Sequence, residues 1–166
     1  MPDFTPRPTV YNGIQMRSRL EAGFAAWLDK MRVEWAYEPK AFGGSEGQYL
    51  PDFYVPQLCL IGQNEPRSAP AYIEVKPVLP YDDQARLARR MAVIWKSEPE
   101  AHLIVVVRDH MDDGLGVSAI FGDDPDVPVL YGGFAFLIQP YGLPLCVGAP
   151  WPSSFSPWVD GFWEVK

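Results

Sequence analysis

The sequence predicts an α/β domain in which a central mixed sheet is flanked by helices and followed by further strands. Up to residue 108, apolar residues recur with helical or strand periodicity in the order helix, three strands, helix, strand. Beyond that point the chain is rich in Gly, Pro and aromatic residues and holds three more short strand candidates. We therefore expect a core of residues 1–110 and, packed on the same domain, an acidic, aromatic, β-rich extension of residues 111–166.

The first helix is expected over residues 13–31, after an extended N-terminal arm of residues 1–13 that carries three prolines. Five apolar side chains recur at positions that share one helical face: Leu20, Phe24, Trp27, Leu28 and Met31. Asn12 precedes this segment and is of a residue type that caps helices. The segment is therefore predicted to be an amphipathic helix capped by Asn12.

Three strand candidates follow the first helix. "RVEWAYEP" is a short strand that ends at Pro39, and "YLPDFYV" is a second, which Pro51 restricts to an edge, a strand start or a bulge. "QLCLIG" either extends the second strand or forms a separate partner after Pro56. A polar loop is expected at residues 63–70, and "AYIEVK" is then the third strand, a candidate hairpin neighbour of the second.

A second helix and a fourth strand complete the predicted core. The helix is expected over residues 81–97, where Asp82 and Asp83 suit the positive N-terminal end. "HLIVVVR", residues 102–108, is a continuous apolar run of the kind that is buried on both faces of a sheet. A helix between the third and fourth strands predicts a right-handed crossover that makes these strands parallel.

The net charge of −7 is unevenly distributed. Residues 1–110 hold 13 Lys and Arg against 14 Asp and Glu, whereas residues 111–166 hold one Lys against seven Asp and Glu. This argues against a free-standing nucleic-acid binder but leaves the core close to neutral. Two cysteines without a CxxC spacing exclude a disulfide framework, and two histidines exclude a His-rich zinc site. Without an apolar run of about 20 residues or a signal peptide, the chain is expected to be cytoplasmic and to have no membrane span.

The stretch "AYIEVKP", residues 71–77, places charged residues on an apolar strand. Because side chains alternate between the two faces of a strand, Glu74 and Lys76 share one face, opposite the apolar residues. If the second and third strands pair, Asp52 at the start of the second strand comes close to Glu74. Glu21 on the first helix is a third acidic candidate for the same place.

Such a cluster predicts a site for a divalent cation. Carboxylate oxygens select Mg²⁺ or Mn²⁺, and the peptide carbonyl of Val75 could add another oxygen ligand. The cation would polarise a substrate phosphate, while the ammonium of Lys76 could orient the attacking water and stabilise the hydroxide. Repulsion among three carboxylates explains why the site would require a cation.

Pro51-Asp52, followed by Glu74-Val75-Lys76, resembles the signature of the PD-(D/E)XK nuclease superfamily. The order of elements over residues 14–108 is also similar to the restriction-endonuclease-like αβββαβ core of that superfamily. The phrases "SRLE", "YEP", "YLPDFYV" and "YIEVKP" together look most like the endonuclease subunit of heteromeric transposases and its phage-borne relatives.

The resemblance implies a catalytic set and an activity. Asp52 and Glu74 would bind Mg²⁺ or Mn²⁺, and Lys76 would assist the nucleophilic water. Glu21 corresponds to the additional Glu that many members carry on the first core helix. Gln84 corresponds to a glutamine that some members carry on the second helix, and it is a candidate DNA contact. The resemblance implies that the protein is a DNA endonuclease that hydrolyses phosphodiester bonds through a Mg-activated water and works with a protein partner.

Each acidic candidate also has a simpler interpretation. Glu21 can pair with Arg17, one helical turn away. Asp52 can be an ordinary turn residue. Glu74 with Lys76 can be a surface ion pair that contributes little to stability.

The basic residues divide into two groups. Arg17 and Arg19, near the mouth of the predicted site, are candidates for contacts with DNA phosphates. The basic residues of the second helix are interpreted as a solvated helix face, although they could also guide a phosphate backbone: Arg86, Arg89, Arg90 and Lys96.

A second function stays open beside the nuclease. The acidic and aromatic C-terminal third suits a protein partner better than DNA, with Trp151, Trp158, Phe162 and Trp163 expected in packing or in an interface. The alternative is therefore a non-catalytic binding or assembly protein of a phage or mobile element with a nuclease-like fold. An acidic DNA mimic is disfavoured because the acidic run of residues 112–126 is short and broken.

Overall fold

The structure is a computed structural model that describes residues 5–44, 47–61, 66–108, 115–122, 124, 126–137 and 145–148. Two α-helices and eleven strands follow one another along these residues: β1 (Thr9–Tyr11), β2 (Ile14–Met16), α1 (Arg19–Lys30), β3 (Ala36–Tyr37), β4 (Phe42–Gly44), β5 (Gly47–Tyr49), β6 (Phe53–Ile61), β7 (Arg67–Lys76), α2 (Tyr81–Ala92), β8 (His102–Arg108), β9 (Leu115–Phe121), β10 (Val129–Leu137) and β11 (Leu145–Gly148). A 3₁₀ turn over Val93–Lys96 continues α2.

Seven strands form one sheet in the order β11-β10-β9-β8-β7-β6-β3. β6 and β7 are antiparallel, and β7 and β8, which α2 connects, are parallel, as predicted. β9 and β10 extend the sheet in antiparallel orientation. The described part of the chain is thus a mixed α/β architecture with a mostly antiparallel sheet and two helices, which is compatible with the predicted α/β class. The boundary between core and extension at residue 110 stays a prediction.

The last strand closes the sheet on itself. β11 pairs antiparallel with β10 on one side and parallel with residues 58–61 of β6 on the other. The first residues of β6 pair instead with the two-residue strand β3. An irregularity between Val55 and Leu58, where Pro56 lacks a backbone donor, separates the two halves of β6. The strand that follows Asp52 therefore has neighbours along both edges.

The two helices cover opposite faces of the sheet. Ile73 and Ile104 are buried in the core under α1. Tyr72 and Leu103, their neighbours along the same strands, are buried in the core under α2. This alternation determines which face of β7 each charged residue occupies.

The N-terminal segment differs from the prediction. The hairpin β1–β2 turns at Asn12 and Gly13, with φ values of 46° and 78°. An Asn-Gly pair favours this turn because both residues tolerate positive φ. α1 therefore begins at Arg19, later than expected, and its N-cap is Ser18 and not Asn12. Within the extended arm predicted over residues 1–13, β1 and the turn are thus part of a hairpin, and residues 1–4 lie outside the described ranges.

Two further boundaries shift. The loop expected at residues 63–70 is wrong for its second part, because residues 67–70 already belong to β7 and pair with β6. α2 ends at Ala92, and the remainder of the predicted helix is the 3₁₀ turn. "QLCLIG" extends the second strand, which was one of its two predicted alternatives.

Within the ranges that the structure describes, no helix is long and apolar enough to cross a membrane. Residues 149–166, which carry the aromatic side chains of the predicted partner surface, lie outside those ranges. That surface therefore stays a prediction.

Candidate functional site

Two acidic residues, one just before β6 and one within β7, lie close together. β6 and β7 pair with Phe53 opposite Ile73, and the same antiparallel register continued by one residue places Asp52 opposite Glu74. Both residues are buried, with 3% and 6% of their surface exposed. The structure thus brings together the two carboxylates that the sequence analysis places on separate strands.

The Asp52 carboxylate is held by two donors. Its Oδ2 accepts a hydrogen bond of 2.8 Å from the backbone N–H of Val75, and its Oδ1 lies 2.5 Å from a guanidinium nitrogen of Arg17. Burial and the charge of Glu74 raise the pKa of Asp52 to about 8, and the Val75 N–H acts against this rise. The environment of Asp52 in the folded protein therefore disfavours its ionised form.

Glu74 lies between a lysine and a tyrosine. Its Oε1 is 2.6 Å from Nζ of Lys76, two residues further along the same face of β7. Its Oε2 accepts a hydrogen bond of 2.6 Å from the hydroxyl of Tyr49, the last residue of β5. Burial and the charge of Glu74 raise the pKa of Tyr49 well above its ordinary value, so the phenol remains a donor. The guanidinium of Arg90 on α2 lies over the Tyr49 ring, 5.6 Å from its centre.

Glu21 is buried in the first turn of α1, where it forms the S-x-x-E arrangement of a capping box. The Ser18 hydroxyl accepts from the Glu21 N–H at 3.2 Å and donates to Glu21 Oε1 at 2.7 Å. Glu21 Oε2 accepts from the Tyr37 hydroxyl at 2.5 Å and from the backbone N–H of Arg17 at 3.2 Å. The charge of Glu21 also contributes to the raised pKa of Asp52, so all three acidic candidates belong to one neighbourhood.

Replacing Ser18 with alanine is expected to lower the free energy of unfolding by about 1 kcal/mol, because the first turn of α1 loses its cap. Urea denaturation followed by circular dichroism measures this change. Ser18→Asn keeps a capping side chain and should differ from the wild type by no more than roughly 0.3 kcal/mol. Equal losses in the two variants would contradict the capping role.

Arg17 joins the elements around the site. Its Nε lies 2.8 Å from a carboxylate oxygen of Glu38, in addition to its contact with Asp52. Glu38 follows β3 with a backbone φ of 44°, which is unusual for a glutamate, and its N–H donates to the carbonyl of Asp52. Partial burial acts to lower the pKa of Arg17, but the Tyr37 hydroxyl and the Asp52 charge raise it above its ordinary value. The guanidinium therefore stays charged and bonds to Asp52 and Glu38 rather than to the side chain of Glu21.

The donor set is of the type that binds a hard divalent cation. Glu21, Asp52 and Glu74 supply buried carboxylate oxygens, which Mg²⁺ and Mn²⁺ prefer. As these side chains stand, no three His, Cys, Asp or Glu in the described ranges surround one point closely enough to hold a metal ion. Arg17 forms an ion pair with Oδ1 of Asp52 in this arrangement, so a cation that binds this oxygen must displace the guanidinium.

Asp52 and Glu21 line a cleft of about 360 Å³ that also contains Lys76. Four arginines from separate parts of the chain contribute to its walls: Arg7, Arg17, Arg19 and Arg108. Of the predicted DNA contacts, Arg17 and Arg19 thus lie at this cleft. Gln84 is half-buried on α2 and is not among the residues that line it.

Sequence reasoning does not identify three partners of the carboxylates, namely Ser18, Tyr37 and Tyr49. The S-x-x-E spacing within "SRLE" is a signal that could have identified Ser18. The two tyrosines carry no comparable signal, since they reach their carboxylates through the pairing of the short strands β3 and β5.

The chain was compared with models of protein families, with curated proteins and with solved structures, and none of them matches it. The likeness to the nuclease superfamily accordingly rests on the sequence motifs. A fold alone does not determine a function, which resides in the chemistry of the site.

Proposed function

We propose that the protein is a Mg²⁺- or Mn²⁺-dependent endonuclease that hydrolyses phosphodiester bonds in DNA. The observation that carries this proposal is the convergence of Asp52, Glu74 and Lys76 beside a cleft with arginine-rich walls. Buried carboxylates next to an ammonium suit a site that holds a cation and a phosphate together. The arginines suit an extended anionic substrate.

The order of the elements supports a finer assignment of the fold, a restriction-endonuclease-like core. α1, β3, β6, β7, α2 and β8 follow the αβββαβ order of such a core. The antiparallel pairing of β6 with β7 and the parallel pairing of β7 with β8 agree with the expected arrangement. In this assignment β4 and β5, which form a separate two-stranded sheet, are an insertion between the first and second core strands.

The hydrolysis that we propose forms a bond from a water oxygen to phosphorus and breaks the bond from phosphorus to the leaving oxygen. Lys76, anchored by Glu74 at 2.6 Å, donates to the attacking oxygen and stabilises its growing negative charge. Tyr49 donates to the other oxygen of Glu74 and so fixes the carboxylate that positions Lys76. The proton of the water leaves through the open cleft, and the leaving oxygen takes up a proton from solvent.

Asp52, Glu74 and the carbonyl of Val75 would hold the cation, with Glu21 as a further ligand. A divalent cation supplies polarisation of the phosphate and neutralises charge that develops in the transition state. Because Arg17 holds Oδ1 of Asp52 and lines the cleft, its guanidinium would have to leave this oxygen for a cation to bind there. Within the cleft the guanidinium can form a charge-assisted hydrogen bond with a phosphate.

Replacing Lys76 with methionine, which keeps an unbranched side chain and removes the ammonium, should lower plasmid cleavage by a factor on the order of 100 to 1,000. The conversion of supercoiled plasmid to nicked and linear forms, in Mg²⁺ or Mn²⁺, measures the rate. Lys30→Met, in the exposed last turn of α1, is the matched control and should cleave like the wild type.

Cleavage that survives Lys76→Met would contradict the role of this residue. A wild-type protein that does not cleave, at concentrations high enough to offset weak DNA binding, would contradict the nuclease function itself. A protein partner that delivers DNA is part of the proposal because the chain has a net charge of −7.

One observation favours a second candidate, a non-catalytic binding or assembly protein. Arg17 and the Val75 N–H already satisfy Asp52, and each buried side-chain nitrogen and oxygen of the described ranges has a hydrogen-bond partner. The polar groups of such a site need no cation to satisfy their hydrogen bonds. Titration with Mn²⁺ separates the two candidates, since the assembly protein needs no cation.

A further inference from the structure

A second cleft lies on the α2 side of the carboxylates. It has a volume of about 240 Å³ and is formed by the segment after β7 and by one face of α2. Lys76 lines this cleft and also the larger cleft on the α1 side. The two clefts therefore meet at the residue that we place beside the reacting phosphate.

The described residues that line the two clefts have a net charge opposite to that of the whole protein. With Lys76 at the junction, four arginines line the α1-side cleft and two line the α2-side cleft, which is half of the 14 Lys and Arg in the chain. Among the residues that the structure describes, three acidic ones line them, namely Glu21, Asp52 and Asp83. A protein with a net charge of −7 thus concentrates positive charge along one path, an arrangement that attracts a phosphate backbone.

The two arginines of the α2-side cleft are Arg86 and Arg90. They lie one turn apart on α2, about 6 Å along its axis, so they share one face. Like charges at this spacing repel each other, and an anion bound between them relieves that repulsion. Arg90 also lies over Tyr49, whose hydroxyl donates to Glu74, so direct contacts connect this cleft to the carboxylates.

We propose that the α2-side cleft binds the DNA phosphates on one side of the bond that is cut, while the α1-side cleft binds those on the other side. This inference rests on the proposed nuclease function. A strand of the substrate passes over Lys76 from one cleft into the other, and Arg86 and Arg90 bind its phosphates. Arg89, also exposed on α2 but not among the residues that line the cleft, keeps the role of a solvated residue.

The test compares Arg86→Gln with Arg89→Gln, which removes the same charge from the same helix outside the cleft. Both are made in an Asp52→Asn background, so binding is measured without cleavage, with a labelled DNA duplex and its single strand as probes. Arg86→Gln should weaken binding about three- to tenfold and lower the slope of log Kd against log salt concentration by about one. Arg89→Gln should leave both quantities unchanged, and circular dichroism verifies that both variants are folded.

Equal losses in the two variants, or no loss in Arg86→Gln, overturn the proposal. The absence of binding to either probe at low ionic strength, by the Asp52→Asn protein itself, also overturns it. Plasmid cleavage by the wild type distinguishes this failure from that of the nuclease function. If the wild type cleaves plasmid but binding does not depend on Arg86, the nuclease function is retained and the role of the second cleft is lost. If binding depends on Arg86 but the wild type does not cleave, the cleft is retained and the nuclease function is lost.

Discussion

Asp52→Asn is expected to lower metal-dependent cleavage by a factor on the order of 1,000 and, at the same time, to stabilise the folded protein. The substitution removes the charged oxygen for which a cation and Arg17 compete. The amide retains an oxygen that can accept the N–H of Val75, so the local backbone should be preserved. Activity and stability therefore move in opposite directions.

The gain in stability depends on pH. Burial and the charge of Glu74 raise the pKa of Asp52 from 3.8 to about 8, so the folded state keeps a proton that the unfolded state has already released. The stability linked to this proton is fully present below pH 3.8, declines as the pH rises, and is lost above about pH 8. Asparagine does not titrate, so the advantage of the variant should grow steadily as the pH rises over this range.

Urea denaturation at several pH values measures the stability, and calorimetric titration with Mn²⁺ measures the cation site. Mn²⁺ should bind the wild type, more tightly as the pH rises and the carboxylate ionises, and should not bind Asp52→Asn. Glu34→Gln, an exposed acidic residue between α1 and β3, controls for the loss of one negative charge. Equal Mn²⁺ binding by Asp52→Asn would exclude Asp52 as a ligand, and a wild type that binds no Mn²⁺ would favour the assembly protein.

Phe53→Ala, one residue further along the chain, is expected to have the largest effect on folding. The side chain is fully buried, and its ring packs against Phe24, Trp35 and Tyr37 with centre distances of 5.1, 5.7 and 5.5 Å. Truncation leaves a cavity under α1 and should cost about 3–5 kcal/mol, a large share of the stability of one domain. Because Tyr37 donates to Glu21, the loss of this packing also loosens the N-terminus of α1.

Chemical denaturation measures the change in the free energy of unfolding. Tyr81→Ala, at a side chain that is 85% exposed, removes an aromatic ring without creating a cavity and should change stability by no more than about 0.5 kcal/mol. Phe53→Leu keeps most of the buried volume and should cost less than Phe53→Ala. A Phe53→Ala protein within about 1 kcal/mol of the wild type would contradict the packing described for this core.

The centre of the candidate site follows from rules that act within one hairpin, so sequence reasoning reaches it. Alternation along β7 places Glu74 and Lys76 on the same face. Antiparallel pairing of β6 with β7, with Phe53 opposite Ile73, then brings the preceding residue Asp52 close to Glu74. This step does not require knowledge of the rest of the fold.

The contacts around that centre depend on tertiary structure and do not follow from local rules. The guanidinium of Arg17 can reach several carboxylates, and only the folded chain selects Asp52 and Glu38 over Glu21. At the N-terminus two local signals compete, because Asn12 is both a helix-capping residue and the first half of an Asn-Gly turn. In the structure Asn12 belongs to the turn, and Ser18 is the N-cap of α1.

β6 acquires its last neighbour only from the far end of the described chain. Because residues 58–61 pair with residues 145–148, the ring of strands has a high contact order and closes over a long loop. During synthesis, the outer edge of residues 58–61 stays open until residues 145–148 have left the ribosome. We expect slow folding in which β11 docks late, and an aggregation-prone strand edge in any fragment that lacks it. Late docking of β11 thus concerns the far half of β6, whereas the residues beside Asp52 already have β3 and β7 as neighbours. The site can therefore form before the ring of strands closes.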